Sequence, residues 1–395
     1  MRGTGNQNGR IKCRMPAATL PSAESGAFRP LLSSALPDWN GGKDAASPVV
    51  GMLVGEGIGA EVVGAACDVL DRIREKTGRR IDVSFGGKIG RLAQAECGAA
   101  LSVGVINFCE SVFAAGGAIF CGPGGGRFVY DLRAHFALYC KLTPVRHLAA
   151  IDDASILRPE RLDGVDLIVV RENAGGFYFG RSEIRPGEDR TAIQDCAYRD
   201  SEVQRILRPA LELARRRRGR LALAVKPDGI PAISALWTEN LEQLAAGSGV
   251  AWQVLEVDNA AYQLIANPRE LDIVVAPNMF GDVLSDAASV LLGSRGLSFS
   301  GNFGPKRRAV YQTGHGAAQD LAGLDRANPV GQIFSLAMML RESFGWQREA
   351  AALETATSAV LGQGWRTPDI ASATSRIIGT RELGRRIADA VTDLL

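Results

Sequence analysis

Asp282 and Asp286 stand four residues apart in Asn278-Met279-Phe280-Gly281-Asp282-Val283-Leu284-Ser285-Asp286. On a helix that spacing projects both carboxylates from one face. Two hard oxygen donors side by side suit Mg2+ or Mn2+, which keeps waters and shares a substrate oxygen. Asp258, in Val257-Asp258-Asn259-Ala260-Ala261, is a candidate third carboxylate. The plainer alternative is an N-cap at Asp282 with Asp286 solvated in the first turn. Spacing alone leaves both open.

A second stretch, Gly314-His315-Gly316-Ala317-Ala318-Gln319-Asp320-Leu321-Ala322-Gly323, is glycine-rich and polar, and Ala327-Asn328-Pro329 follows it. It suits a loop whose backbone lies against a nucleotide, with Asp320 accepting from ribose hydroxyls. Taken alone, an ordinary surface loop explains it better. Lys226 closes a strand expected over 221–225, at the edge where parallel α/β sheets place their ligands. Tyr178 lies in a glycine-rich turn after a strand expected over 167–170. Each is unremarkable by itself.

The elements that must position these side chains read as strands alternating with helices. An apolar strand over 49–54 meets the turn Gly55-Glu56-Gly57-Ile58-Gly59, and a helix runs from 60 to about 76. Similar apolar runs recur at 117–121, 167–170, 221–225 and 273–275. The alternation predicts an α/β class with largely parallel sheets. The glycine turn is no Rossmann fingerprint: its spacing is GxGxG, and no acidic residue closes a second strand about 20 positions on. A helix over 205–218 ends in four arginines, expected to face solvent and complement the helix C-terminus.

Composition bounds the function. The 395 residues suffice for two domains, and 46% apolar with 22% charged residues excludes wholesale disorder. The formal net charge of +2 provides no overall basic field, so a nucleic-acid partner is not expected. Seven cysteines without a CxxC pair point to isolated thiols rather than a disulfide or zinc framework. No apolar run approaches the roughly 20 residues of a membrane span, and a cytoplasmic protein is expected. Residues 1–47 are basic at first, then rich in Pro, Ser and Ala. They have the flavour of a transit peptide but are read as a disordered extension, and the lack of an apolar h-region excludes a secretory signal.

Together, the NMFGDVLSD, VDNAA and HGAAQDLAG…ANP segments resemble the β-decarboxylating dehydrogenases, the isocitrate and 3-isopropylmalate dehydrogenase family. The resemblance runs from about Val49 to the C-terminus. It implies two α/β domains with a cleft between them, the first from residues 48–138 plus 294–395 and the second from 139–293. It also implies a homodimer with shared active sites, which oxidises a 2-hydroxy acid and then removes its 3-carboxylate as CO2. By resemblance Asp282 and Asp286, with Asp258 from the other subunit, hold the divalent metal. Lys226 assists deprotonation of the hydroxyl across the dimer interface, and Tyr178 protonates the enol carbon. Both ordinarily titrate near 10 or above and need environmental tuning to exchange protons at neutral pH; a neighbouring cation would lower them.

The same resemblance assigns Arg133 and Arg171 to the substrate carboxylates, and Val129 and Tyr130 to the pocket for the substituent on C3. Ile58, His315, Gly316, Ala317, Asp320, Leu321 and Asn328 fall at NAD-contacting positions, His315 and Asn328 beside the adenine. One NADP-using branch places Lys-Tyr where this chain has Asp320-Leu321, so NAD is the expected cofactor.

The chain departs from the family in four places. Lys141-Leu142-Thr143-Pro144 lacks the arginine found at the Thr143 position, and Lys141 restores the charge without the bidentate fork. Lys226-Pro227-Asp228 has an acid where an amide faces the nicotinamide. Glu56 and Ala60 interrupt the usual glycine-turn wording, and Gln312 replaces an acid before His315. An unusual substrate is therefore expected. The alternative is a non-catalytic or regulatory subunit of a hetero-oligomeric dehydrogenase.

Overall fold

Aliphatic runs bounded by glycine or charge become strands covered on both faces. The computed structural model describes residues 31, 32, 35, 36, 39 and 48–395. Its first strands are β1 (Val49–Leu53), β2 (Asp82–Phe85), β3 (Ala118–Cys121), β4 (Cys140–Arg146) and β5 (Asp166–Glu172). A short hairpin follows, β6 (Ser182–Arg185) and β7 (Thr191–Gln194). Next come β8 (Arg220–Val225), β9 (Ala251–Glu256), β10 (Ile273–Ala276), β11 (Phe299–Phe303) and β12 (Ala309–Thr313).

All but the hairpin join one ten-stranded sheet in the order β2-β1-β3-β12-β11-β4-β5-β10-β8-β9. Neighbours are parallel on both flanks, while β12–β11, β11–β4 and β4–β5 in the middle are antiparallel. The two groups of residues suggested by the sequence thus contribute adjacent halves of a single sheet, meeting where β11 pairs with β4.

Helices α1 (Gly59–Thr77), α2 (Gly90–Cys97), α3 (Val103–Ala114) and α4 (Phe128–Phe136) accompany the first strands. Then come α5 (Pro159–Leu162), α6 (Asp200–Arg216), α7 (Pro231–Ala245), α8 (Val257–Ala266) and α9 (Asn278–Ala288). The chain closes with α10 (Val330–Glu342), α11 (Gln347–Gly362) and α12 (Thr380–Leu394). Helix α10 is buried along its whole length, against β11 and β12 on one side and α1 and α11 on others. Among the described residues, no helix is long and apolar enough to cross a membrane.

Two sequence expectations change here. The arginines closing α6 do not all face solvent. Arg215 and Arg216 pair with Glu212, but Arg217 bonds Asp272 at 2.7 Å and Asp166 at 2.9 Å, and the Arg218 amide donates to Asp272 at 2.9 Å. Asp272 is a buried carboxylate at the entry to β10, and these donors satisfy it.

The second change concerns residues 1–47. Leu31, Leu32, Ala35, Leu36 and Trp39 are buried in the main core, not disordered; the rest of that span lies outside the described residues. Leu31 and Leu32 amides donate to the Glu342 carboxylate at 2.9 Å each, and Trp39 meets Phe303 edge-on at 5.3 Å. Burial pushes the Glu342 carboxyl upward, so the two amides and Arg341 are what keep that anion tolerable inside. A chain beginning at residue 48 loses several large apolar side chains, each worth roughly 1.5–3 kcal/mol. We expect its melting temperature to fall by about 10 °C or more in a thermal scan. An unchanged midpoint would contradict this packing.

Candidate active site

The antiparallel register of β4 on β5 sets Lys141 opposite Arg171, so their side chains share a face. Thr143 is two residues along β4 and faces the same way. Helix α4 presents Tyr130 and Arg133 one turn apart. After β5 the chain turns through Gly175 and Gly176 to bring up Tyr178, and α9 brings Asp282.

These side chains meet. Arg171 forms an ion pair with Asp282, and the Tyr178 hydroxyl donates to the other Asp282 oxygen at 3.0 Å. The Tyr178 and Tyr130 rings meet edge-on at 5.3 Å, and the Arg133 guanidinium lies 5.7 Å from the Tyr130 ring centre. Arg127 lies 5.4 Å from the same ring. Val129 instead packs partly against the core near Phe128.

Charge in this cluster is uneven. Arg133, Lys141 and Arg171 are all buried, and Asp282 is the carboxylate bonded among them. The Lys141 backbone is paired with β5 and β11, but among the described residues its ammonium has no hydrogen-bond or ion-pair partner. Burial, then Arg171 and Arg133, lower its ammonium to about 7. Arg133 Nε, Arg171 Nη2 and Thr143 Oγ1 are buried without partners. Leaving such a group unsatisfied costs about 1–3 kcal/mol. A bound carboxylate would satisfy these donors and return the charge to Lys141.

The parallel order β5-β10-β8-β9 lines up Arg171, Asn278, Lys226 and Asp258 at successive strand ends along one edge of the sheet. Lys226 donates to Asp258 at 2.8 Å and also to Glu256. Asp286 is exposed and bonds Arg295 at 2.7 Å. Asp282 lies inside α9, which begins at Asn278, so the N-cap alternative falls. Within one chain Asp258 does not join Asp282 and Asp286: no cluster of three His, Cys, Asp or Glu side chains able to hold a metal occurs among the described residues.

Neither proton-transfer group is lowered within the single chain. Hydrogen bonds to Asp258, then Glu256, push the Lys226 ammonium up. Burial, then Asp282, pushes the Tyr178 hydroxyl up to about 12. At Tyr178, burial and the bonded Asp282 outweigh Arg171.

The cofactor candidates gather where α1 begins. Ile58 N–H donates to the Ala317 carbonyl at 3.0 Å, and Gly57 has φ +56°, where a Cβ would overlap that same carbonyl. Ile58, Val62 and Ala327 form a small apolar cluster, joined by Ala318 and Leu321. Glu61 accepts from the Gly323 amide at 3.0 Å and the Asp325 amide at 2.8 Å, pinning the loop to the first turn of α1. His315 Nδ1 contacts the Gly316 carbonyl at 2.9 Å, while its buried Nε2 has no partner. Burial, then Arg295, lowers its pKa, which favours the neutral ring. Gly316 and Asp320 are exposed on the loop. Asn328 is committed elsewhere: it accepts from Val330 N–H at 3.0 Å and donates to Asp369 at 3.1 Å, fixing the start of α10.

Several positioning groups escaped the sequence reading. The buried Glu56 carboxylate accepts from the Leu92 amide at 2.9 Å and from the Gly125 amide. It thereby ties the glycine turn after β1 to α2 and to the loop before α4. Glu172 accepts from the Ala174 amide at 3.0 Å and the Gly175 amide at 2.9 Å, folding the chain toward Tyr178. Asn278 bonds Arg171 Nε at 2.9 Å and the Gly175 carbonyl at 2.8 Å. Only Asn278 carried a signal, its place at the head of the NMFGDVLSD segment.

Comparison with known proteins defines the class. Residues 49–387 match the family model described as isocitrate/isopropylmalate dehydrogenase. A 3-isopropylmalate dehydrogenase of Parasynechococcus marenigrum (strain WH8102) is 37% identical over 357 residues, covering 86% of this chain and 98% of its own. One from Gloeobacter violaceus is 38% identical over 361 residues, covering 86% and 97%. A solved isocitrate dehydrogenase from Methylococcus capsulatus superposes with a TM-score of 0.77 at 28% identity, covering 87% and 99%. The chain is a β-decarboxylating dehydrogenase by class. It belongs to the isocitrate/isopropylmalate dehydrogenase family.

Proposed function

We propose that this chain, as a homodimer in the cytoplasm, oxidises and decarboxylates a 3-substituted malate to a 2-oxo acid and CO2, using NAD and Mg2+ or Mn2+. The observation that carries the reading is the buried cluster of Arg133, Lys141 and Arg171, with unpartnered donors, directly beside the Tyr178–Asp282 pair.

The residues present fit both added groups. Asp282 and Asp286 offer two oxygen donors one helical turn apart, and Asp258 of the partner subunit would complete the set. Two or three carboxylates plus water and substrate are a normal shell for Mg2+. The turn at Gly57, the apolar cluster around Ile58 and Leu321, and the unpartnered His315 Nε2 suit an adenine nucleotide. Exposed Asp320 favours NAD, since it would accept from ribose hydroxyls and repel a 2′-phosphate. When bound, NAD supplies the hydride acceptor for C2 and the divalent cation a Lewis acid at the C2 oxygen.

The chain's own residues do the rest. Arg133, Arg171 and Lys141 grip the carboxylate, and Thr143 adds a hydroxyl donor. Lys226 of the partner subunit assists deprotonation of the C2 hydroxyl. After CO2 leaves, Tyr178 returns a proton to C3. The C3 substituent meets Tyr130, with Arg127 beside it, rather than a purely aliphatic wall.

The dimer is supported by surfaces with no cover in one chain: Ile184 on the β6–β7 hairpin is 60% exposed, Tyr262 on α8 66% and Val283 on α9 57%. It is also supported by Lys226 bonding Asp258 and Glu256, and by Asp258 forming no metal-holding group with Asp282 and Asp286 among the described residues.

The test is a kinetic panel of isopropylmalate, isocitrate, homoisocitrate, tartrate and malate with NAD or NADP, with and without EDTA. The expected result is NAD-linked, EDTA-sensitive turnover of one panel member other than isocitrate. Strong preference for isocitrate would defeat the specialised-substrate reading, and no turnover at all would favour the regulatory-subunit alternative.

A further inference from the structure

We infer that Asn278 is a positioning residue that holds the Tyr178 loop and the Arg171 fork in one arrangement; this rests on the roles proposed above for Tyr178 and Arg171. Asn278 is wholly buried, and its carboxamide is used at both ends. Oδ1 accepts from Arg171 Nε at 2.9 Å, and Nδ2 donates to the Gly175 carbonyl at 2.8 Å. Its backbone N–H donates to the Tyr198 hydroxyl at 3.0 Å. Asn278 also opens α9, which carries Asp282. One side chain therefore joins the end of β5, the catalytic loop and the helix of the candidate metal ligand.

A carboxamide suits this place because it offers a donor and an acceptor on one short planar group. With Nε held by Asn278 and Nη1 by Asp282, the Arg171 guanidinium has a fixed plane and keeps Nη2 as its unpartnered donor. The loop side is equally tight. Gly176 has φ +71°, and a Cβ there would overlap the Tyr198 hydroxyl that Asn278 also engages. The Gly175 carbonyl is thus held two residues before Phe177 and three before Tyr178, whose hydroxyl reaches Asp282 at 3.0 Å.

The test is a double-mutant cycle of Asn278→Asp with Tyr178→Phe. It is assayed with NAD, Mn2+ and whichever of the five panel acids the parent enzyme turns over fastest. Asn278→Asp keeps the shape and the acceptor for Arg171 but turns an oxygen toward the Gly175 carbonyl. It is expected to lower kcat about tenfold or more with KM for the acid within about threefold. In the Tyr178→Phe background the same change should cost less than about threefold, because no hydroxyl is left to present. If Asn278→Asp does not fold, Asn278→Ser takes its place: it should raise KM and lower kcat, and only the KM effect should survive in Tyr178→Phe.

A full kcat loss that persists in an otherwise impaired Tyr178→Phe enzyme, or no kcat change at all, overturns the role of Asn278 alone. A Tyr178→Phe enzyme with parental turnover overturns the parent reading as well.

Discussion

Lys226→Ala is expected to lower turnover by roughly a hundred- to ten-thousand-fold, the usual worth of a positioned acid–base group. Lys226 directly follows β8 on the edge shared with Arg171, Asn278 and Asp258, and its ammonium reaches Asp258 at 2.8 Å. Its side chain is a third exposed in the single chain, so removing it leaves no cavity in the core and the melting temperature should hold. Lys226→Arg sharpens the test. Arginine keeps the charge beside Glu256 and Asp258 but does not give up its proton. It should therefore stay close to the alanine variant. An arginine enzyme with parental kcat would mean that the position supplies charge only, and parental kcat in Lys226→Ala would remove it from the reaction.

Tyr178→Phe is expected to cause a loss of the same order, roughly a hundredfold or more, with a different time course. The ring would keep its edge contact with Tyr130 at 5.3 Å and its place 5.6 Å from the Arg171 guanidinium. Only the hydroxyl bonded to Asp282 goes. Hydride transfer precedes the proposed protonation at C3, so stopped-flow absorbance should show a rapid burst of NADH near one equivalent per site, then slow turnover. A proportionate slowing with no burst would move Tyr178 to an earlier step. Unchanged steady-state turnover would exclude it.

The sequence announced some of these positions and hid others, for identifiable reasons. Strands β1, β5, β8 and β10 are short apolar runs buried on both faces, and such runs declare themselves by composition. Asp282 and Asp286 declare themselves by helical spacing. The join between β11 and β4 does not, because antiparallel pairing in the middle of the sheet depends on residues about 160 apart, Lys141 and Asn302. The buried latch of Leu31 and Leu32 on Glu342 depends on a separation of 310 residues or more. Within the site, the upward shifts of Tyr178 and Lys226 are not legible in the sequence, which shows which charges exist, not which lie nearest. Asp282 is 104 residues from Tyr178, yet it accepts that hydroxyl's proton donation. Glu256 is only two residues from Asp258, but its reach to Lys226 follows from the β8–β9 pairing.

Lys141 and Thr143 keep the substrate question in physical terms. Where relatives are expected to set an arginine, this chain has a hydroxyl without a partner and, two residues earlier, a buried ammonium lowered to about 7. Three basic side chains remain at the cluster, but the third is an amine rather than a planar fork. That preserves recognition of a carboxylate and changes the shape it must present.

In the proposed reaction, oxidation at C2 is coupled to loss of the 3-carboxylate. The most direct test of that coupling measures NADH and CO2 released together from the preferred panel acid in the presence of Mn2+. Equal amounts of NADH and CO2 throughout the reaction, both abolished by EDTA, are the predicted result. NADH formed without CO2, or at the same rate after EDTA treatment, would contradict it.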